Sequence, residues 1–350
     1  EGEDSGFRIG RTSFAPETDV VDVDVTDDAL EITGGDGADE VIIERTPDGY
    51  FQVTGGPATT VNGSEGVFDI GRVSQIQVDG GPGQDRITLR GDWHGAGGII
   101  GGGPGDDEIQ AMDVTAGGVT LRGGPGDDRI TGSPGDDTII SVAGQDELSA
   151  GDGEDLLKTE GSHVEVGQEL LTRDGADNLL TGFESAVVEG TPGDDEIDAS
   201  GFPGVTILRG HAGSDILVGG PGPDYIVDGP GDDELTGNQG DDVYDLRPGS
   251  ADVVTDSGGN DTVDFSSADM PVTVDMDLLN TEQVINSDGD TLTLEGQIEN
   301  VVGTRFGDTV RIDPLEVQRD VRGGANGESS YSLIVDSRGR ISEDTGSAVE

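Results

Sequence analysis

Apolar residues in this chain recur singly at fixed intervals, and no stretch shows the stripe of an amphipathic helix. Through 123–158 an aliphatic residue returns every nine positions, at Ile130, Ile139, Leu148 and Leu157. Residues 210–245 repeat the pattern with Leu217, Ile226, Leu235 and Tyr244. Each is preceded by six turn-formers, such as Gly123-Gly124-Pro125-Gly126-Asp127-Asp128, whose glycines permit positive φ and close backbone approach. The three residues that follow, such as Arg129-Ile130-Thr131, predict a short strand with its middle side chain inward. Nine such residues cannot bury a core alone. Two units predict one eighteen-residue coil with a strand and a turn on each side, and stacked coils bury the apolar ladders.

A nine-residue frame with Gly at place four, Asp at place six and an aliphatic or aromatic residue at place eight is met by fourteen units. They start at Gly34, Gly80, Gly102, Gly123, Gly132, Ser141, Ala150, Thr172, Gly190, Gly210, Gly219, Asp228, Gly237 and Asp256. Composition alone would give about two, so the period is a property of the chain. At these residues the sequence resembles the RTX, or hemolysin-type, nonapeptide G-G-x-G-x-D-x-U-x, a calcium-binding parallel β-helix repeat. Flanking stretches at 258–276 and 297–310 resemble the same family. The resemblance implies an all-β fold: a right-handed parallel β-roll or β-helix solenoid with irregular β caps at both ends.

The turns raise an electrostatic problem. Every eighteen residues one carboxylate lands over another, about 4.8 Å away. Such a row either repels itself or cages a hard cation, and calcium, which accepts six to eight oxygens, suits carboxylates and carbonyls arriving from two loops. The resemblance implies several Ca²⁺ ions between successive same-side turns. The expected carboxylate pairs are Asp128/Asp146, Asp137/Asp155, Asp215/Asp233 and Asp224/Asp242. Backbone positions expected around the ions are Gly123, Gly126, Gly135, Gly144, Gly153, Gly213, Gly222, Gly231 and Gly240. Asp85, Asp107 and Asp195 extend the set, while Asp39, Asp177 and Asp261 occupy place six of isolated units. Val119 and Thr206 stand where two turns have lost the aspartate, so those coils are expected to stack without metal on that side. A metal-free turn array is the competing reading, since Asp favours turns for local reasons.

Organisation follows from the spacing. Residues 1–79, with alternating segments around Val41–Ile43 and Tyr50–Val53 joined across Pro47-Asp48-Gly49, read as an N-terminal β cap. A first repeat block spans 80–160, an interruption 161–189, a second block 190–265, and a C-terminal β cap with a polar tail 266–350.

Charge narrows the function. The 350 residues carry 74 Asp and Glu against 18 Lys and Arg, a net charge of −56. That field repels nucleic acid and anionic membranes, and no apolar run approaches the roughly 18 residues of a membrane helix. Cysteine is absent, which excludes disulfides and thiol chemistry. The chain starts at Glu1 without Met or an apolar leader, which reads as a processed chain or an excised fragment. A single lysine, Lys158, among many acids also fits a salt-adapted proteome. His94, His163 and His211 share no ligand spacing, no HExxH or GxSxG motif occurs, and adjacent acids such as Asp106-Asp107 recur in too many turns to single out a glycosidase pair. No enzyme is expected. The resulting expectation is a calcium-binding module of a secreted or cell-surface protein, with surface polysaccharide or other cell-surface components as further partners to test. The alternatives are a carbohydrate-active β-helix enzyme, where Trp93 and Tyr225 would stack a sugar, or the non-catalytic tail of a larger secreted hydrolase.

Overall fold

The computed structural model describes residues 19–26, 28–94, 96–115, 117–247 and 249–311, together with the strand residues 320–322, 332–334 and 343–344. Among them there is no helix. Two long sheets, of fifteen and sixteen strands, run side by side, and a four-stranded sheet lies at the C-terminal end. Consecutive nonapeptides alternate between the two long sheets. Arg129–Thr131 pairs in parallel with Glu147–Ser149, placing Ile130 opposite Leu148. Thr138–Ile140 pairs in parallel with Leu156–Glu160 in the other sheet, placing Ile139 opposite Leu157. The second block repeats this with Leu217 opposite Leu235 and Ile226 opposite Tyr244. The partners are eighteen residues apart, so two nonapeptides make one coil. All eight of these side chains are buried and belong to one continuous core. The core is thin because each coil contributes only the place-eight side chains of its two strands.

Departures from nine-residue phase appear as longer strands, Arg86–Gly91, Gly97–Gly101 and Glu108–Val114, in place of the mostly three-residue strands of the tandem blocks. Ile87 lies opposite Ile109 and Ile109 opposite Ile130, 22 and 21 residues apart. Residues 161–189 do not break the stack. Leu156–Glu160 pairs directly with Ser185–Glu189 in one sheet. In the other, Glu147–Ser149 pairs with Ala176–Thr181, which folds back antiparallel onto Leu170–Arg173 and then His163–Gly167. His163–Gly167 hands the ladder on to Glu196–Gly201 in parallel.

The ends are less regular. Glu40–Arg45 turns back on Phe51–Gly55 as an antiparallel pair across the Pro47-Asp48-Gly49 turn, with Gly49 at φ +82°. Its other edge joins Arg86–Gly91 of the first wide coil. Trp93 is not a sugar platform. It is fully buried, edge-on to Phe51 with ring centroids 5.3 Å apart, and its indole N–H donates to the Arg90 carbonyl. At the other end Gln283–Val284 pairs antiparallel with Thr291–Glu295, and Thr273–Asp275 starts the small third sheet. No helix among the described residues is long and apolar enough to cross a membrane.

Candidate cation sites in the turns

The place-six aspartates form ladders of their own. The backbone N–H of each donates to Oδ1 of the aspartate one coil further on: Asp128 to Asp146 (3.1 Å), Asp137 to Asp155 (2.7 Å), Asp215 to Asp233 (2.8 Å) and Asp224 to Asp242 (2.8 Å). The same link spans the wider coils, from Asp39 to Asp85, Asp85 to Asp107, Asp107 to Asp128 and Asp195 to Asp215. The reason is local. The chain leaves the sheet at the turn, so the place-six N–H has no strand carbonyl opposite, and a buried N–H must find another acceptor. A carboxylate one coil along supplies it.

The second oxygen, Oδ2, separates the turns into two kinds. In closed turns it accepts from the place-two N–H of its own loop. These are Asp39 with Gly35 (2.7 Å), Asp137 with Ser133 (2.5 Å), Asp195 with Thr191 (2.6 Å) and Asp224 with Gly220 (2.6 Å). In seven open turns Oδ2 of Asp107, Asp128, Asp155, Asp215, Asp233, Asp242 and Asp261 is buried without a hydrogen-bond partner; Oδ2 of Asp308 is unpartnered too, in a turn with Phe306 at place four that follows Val272. The place-four glycine marks the difference. Gly105, Gly126, Gly153, Gly213, Gly231, Gly240 and Gly259 of the open turns have φ between +128° and +157°, whereas Gly37, Gly135, Gly193 and Gly222 of the closed turns lie outside that region. Gly144 has φ +118°, but its Asp146 is held by other means. At Gly231 a Cβ would collide with the Gly213 carbonyl directly beneath it, in a region of φ that L side chains rarely adopt.

Closed turns occur where the preceding coil offers no carboxylate. Asp137 follows Val119, whose N–H it accepts (2.7 Å), and Asp224 follows Thr206, whose N–H (3.0 Å) and hydroxyl (2.6 Å) it accepts. Asp195 follows Ser162, and Asp39 begins its row. Every one of the seven open turns follows a turn with a place-six aspartate.

An unpartnered carboxylate oxygen in the interior is costly unless a cation meets it. Burial, the largest cause, pushes the Asp128 carboxyl up to about 8, Asp233, Asp242 and Asp261 to about 7, and Asp107 and Asp155 to about 6. It also raises Asp137, Asp146, Asp215 and Asp224. Carbonyl oxygens lie close to Oδ2 at place one. The carbonyl oxygens of Asp228 and Gly237 sit 2.8 and 3.1 Å from where a Cβ on Gly210 or Gly219 would lie, beside Oδ2 of Asp215 and Asp224. A Cβ on Gly123 would likewise strike Oδ2 of Asp128. Glycine at place one therefore keeps a cradle open under the carboxylate. Oxygen donors without imidazole or thiolate fit calcium and not a transition metal.

Several rungs were not legible in the nine-residue frame. The rung after Asp146 is Asn178 (2.8 Å), not Asp177, whose carboxylate points outward to the Thr172 hydroxyl. The Asp174-Gly175 turn, with both residues at positive φ, adds one residue and puts Asp177 on the wrong face of the strand. Glu184 follows Asp155 and Glu299 follows Asp261, both at 2.9 Å, and Asp252 follows Asp233 at 3.2 Å. Asp146 is met by a protein cation. Its Oδ2 accepts from the Ser141 hydroxyl (3.0 Å), to which the buried Arg173 guanidinium donates (2.7 Å). Two groups of three carboxylates also converge, Asp228/Asp233/Asp252 and Asp242/Asp256/Asp261, each with ligand oxygens within 4.8 Å of one another.

Outside the turns, a groove is lined by Arg209, His211, Tyr225, Asp245 and Arg247, among others. Several of its polar tips are paired within the protein, Arg209 and His211 with Glu189 (2.6 and 2.9 Å) and the Tyr225 hydroxyl with Asp245 (2.9 Å), while Oδ1 of Asp245 is buried without a partner.

Comparison with known families agrees with the turn geometry. The family model for the RTX calcium-binding nonapeptide repeat (4 copies) matches residues 122–157 and 207–246, so the chain carries RTX calcium-binding repeats. No curated protein matches the chain.

Proposed function

We propose that the chain is a calcium-stabilised structural module of a secreted or cell-surface protein, without a catalytic role of its own. The observation that carries this reading is the set of seven buried, unpartnered Oδ2 atoms, each one coil beyond another aspartate. In this reading the open turns of Asp107, Asp128, Asp155, Asp215, Asp233, Asp242 and Asp261 hold the ions together with the preceding rungs Asp85, Asp137, Asp195 and Asp224. The glycines at places one and four give the loops room to do so. Calcium supplies positive charge and oxygen coordination, and binding to the folded state alone at a hundredfold above Kd stabilises it by roughly 2.7 kcal/mol per site. That stabilisation offsets self-repulsion in a chain of charge −56. Secretion follows from the same dependence, since extracellular calcium is what would complete the fold.

The finer architecture belongs to the same proposal. A right-handed winding is what parallel crossovers adopt. The segments 1–79 and 266–350, of which 1–18 and most of 312–350 lie outside the described residues, serve as caps, with 80–160 and 190–265 as repeat blocks and 161–189 as the splice between them. Covering the open sheet ends prevents edge-to-edge association.

Counting bound calcium in turn variants tests the assignment. Asp128→Asn, in an open turn, should lose bound calcium, while Asp195→Asn, in a closed turn with its own Thr191 clamp, should lose less. Equal losses, or none, would contradict the open-turn assignment.

A further inference from the structure

In most units place one is glycine, and the space beside Oδ2 is left to a ligand. Five units depart from this, and in two of them the residue is an aspartate. Asp228 opens the unit of Asp233, and Asp256 opens the unit of Asp261. Each extra carboxylate joins two rungs of a ladder: Asp228 meets Asp233 and Asp252, and Asp256 meets Asp242 and Asp261. All six side chains are at least nine-tenths buried. Oδ2 of Asp233, Asp242 and Asp261 has no hydrogen-bond partner, so the clusters contain acceptors aimed at something the protein does not supply. The third carboxylates are held in place. Asp228 accepts the N–H groups of Gly229 and Arg247, and Asp256 accepts the Gly258 N–H and the Tyr244 hydroxyl (2.6 Å). Asp252, Asp256 and Asp261 lie beyond the residues the repeat family model matches.

We propose that these two clusters are high-charge cation sites, distinct in class from the two-carboxylate turns, and the tightest calcium positions in the chain. The inference rests on the calcium reading above and adds a ranking among sites. Two carboxylates neutralise a divalent ion, whereas three leave a residual negative charge that a trivalent ion cancels. The clusters therefore hold calcium more tightly than other turns, on the order of tenfold or more, since ligand charge sets affinity in oxygen sites. They also favour a trivalent lanthanide of similar size over calcium more strongly than the other turns do.

Terbium, whose emission is sensitised by a nearby phenol, tests this in the calcium-loaded full chain. Tyr244 is buried with its hydroxyl on Asp256 and reports on that cluster; Tyr225, which lines a groove with Asp228, is replaced by Phe in every chain compared. The first two equivalents of terbium should displace calcium well before the rest, with emission excited through tyrosine. Tyr244→Phe should keep both tight equivalents and lose most of the emission. Asp256→Gly, which restores the residue other units carry, should lose one tight equivalent and the emission. Asp228→Gly should lose one tight equivalent and keep the emission. Asn at each position serves as a second variant and should give the same losses. If all equivalents exchange with one affinity, or both substitutions leave two tight sites, the ranking is wrong while the calcium reading stands. A chain that cannot be loaded with calcium would overturn both.

Discussion

The backbone N–H of Asp137 donates to Oδ1 of Asp155, eighteen residues on, at 2.7 Å, while Oδ2 of Asp155 is buried without a partner. On the proposed reading one side chain serves two functions: it closes the turn-to-turn ladder with one oxygen and offers the other to a cation. Asparagine keeps an acceptor for the first function and removes the charge needed for the second, so Asp→Asn variants isolate the electrostatic part.

Asp137→Asn and Asp155→Asn should therefore couple. On the proposed reading they face one ion, and removing the Asp155 charge already cripples that site, so the double variant should melt little below the Asp155 single one. Asp137→Asn with Asp146→Asn touches opposite sheets and should come closer to additivity. Coupling in the first pair is expected beyond the roughly 0.5 kcal/mol scatter of independent sites. Melting temperatures and calcium stoichiometries of the three singles and two doubles measure it. Stronger coupling for the nine-residue pair would be incompatible with ions lying between same-side turns.

Arg173 should behave as a built-in substitute for metal. It is buried, its guanidinium reaches Ser141 and Thr159, and Asp146 is the first charge that favours its protonated form. The next rung is the neutral Asn178. Arg173→Met should destabilise the calcium-loaded chain by about 3 kcal/mol, the cost of leaving a buried charge unpaired. Adding Asp146→Asn should recover part of that loss. Denaturant melts of the two singles and the double read the effect, and a strictly additive double would show that Arg173 does not neutralise Asp146.

The nonapeptide blocks were legible because strand, turn and ligand are all encoded within nine residues. Ile130 predicts the inward face, and Asp128 predicts the rung. What the sequence hides is phase. Asn178, Glu184 and Glu299 reach the ladder 32, 29 and 38 residues beyond their partners, where no fixed interval marks them. Glutamate serves there because a longer side chain spans a loop that approaches less closely. The distinction between open and closed turns was half visible. Val119 and Thr206 mark the missing carboxylates, but the N–H clamps of Ser133 and Gly220 on the next aspartates emerge only from the folded loops.

Protons should partly replace calcium. Burial raises the Asp128 and Asp228 carboxyls to about 8 and those of Asp233, Asp242 and Asp261 to about 7 in the metal-free fold. A raised folded-state value means a contribution that is fully present below the ordinary carboxylate value near 3.8 and is lost as pH rises through 7 to 8. The calcium-free chain should therefore gain β structure on acidification from pH 8 towards about 4.5, and calcium binding at neutral pH should release protons. Circular dichroism across that range with chelator present checks the first, and calorimetry in buffers of different ionisation enthalpy checks the second. A calcium-free chain that loses structure on acidification would contradict the assignment.

The central claim is that the fold depends on cations held between aspartate turns, and far-ultraviolet circular dichroism of the full chain at neutral pH tests it most directly. In EDTA the account predicts a largely unordered spectrum, and in millimolar calcium a β-rich one, with magnesium a poor substitute because it demands a tighter octahedron. A β-rich spectrum that is the same in EDTA and in calcium would contradict it.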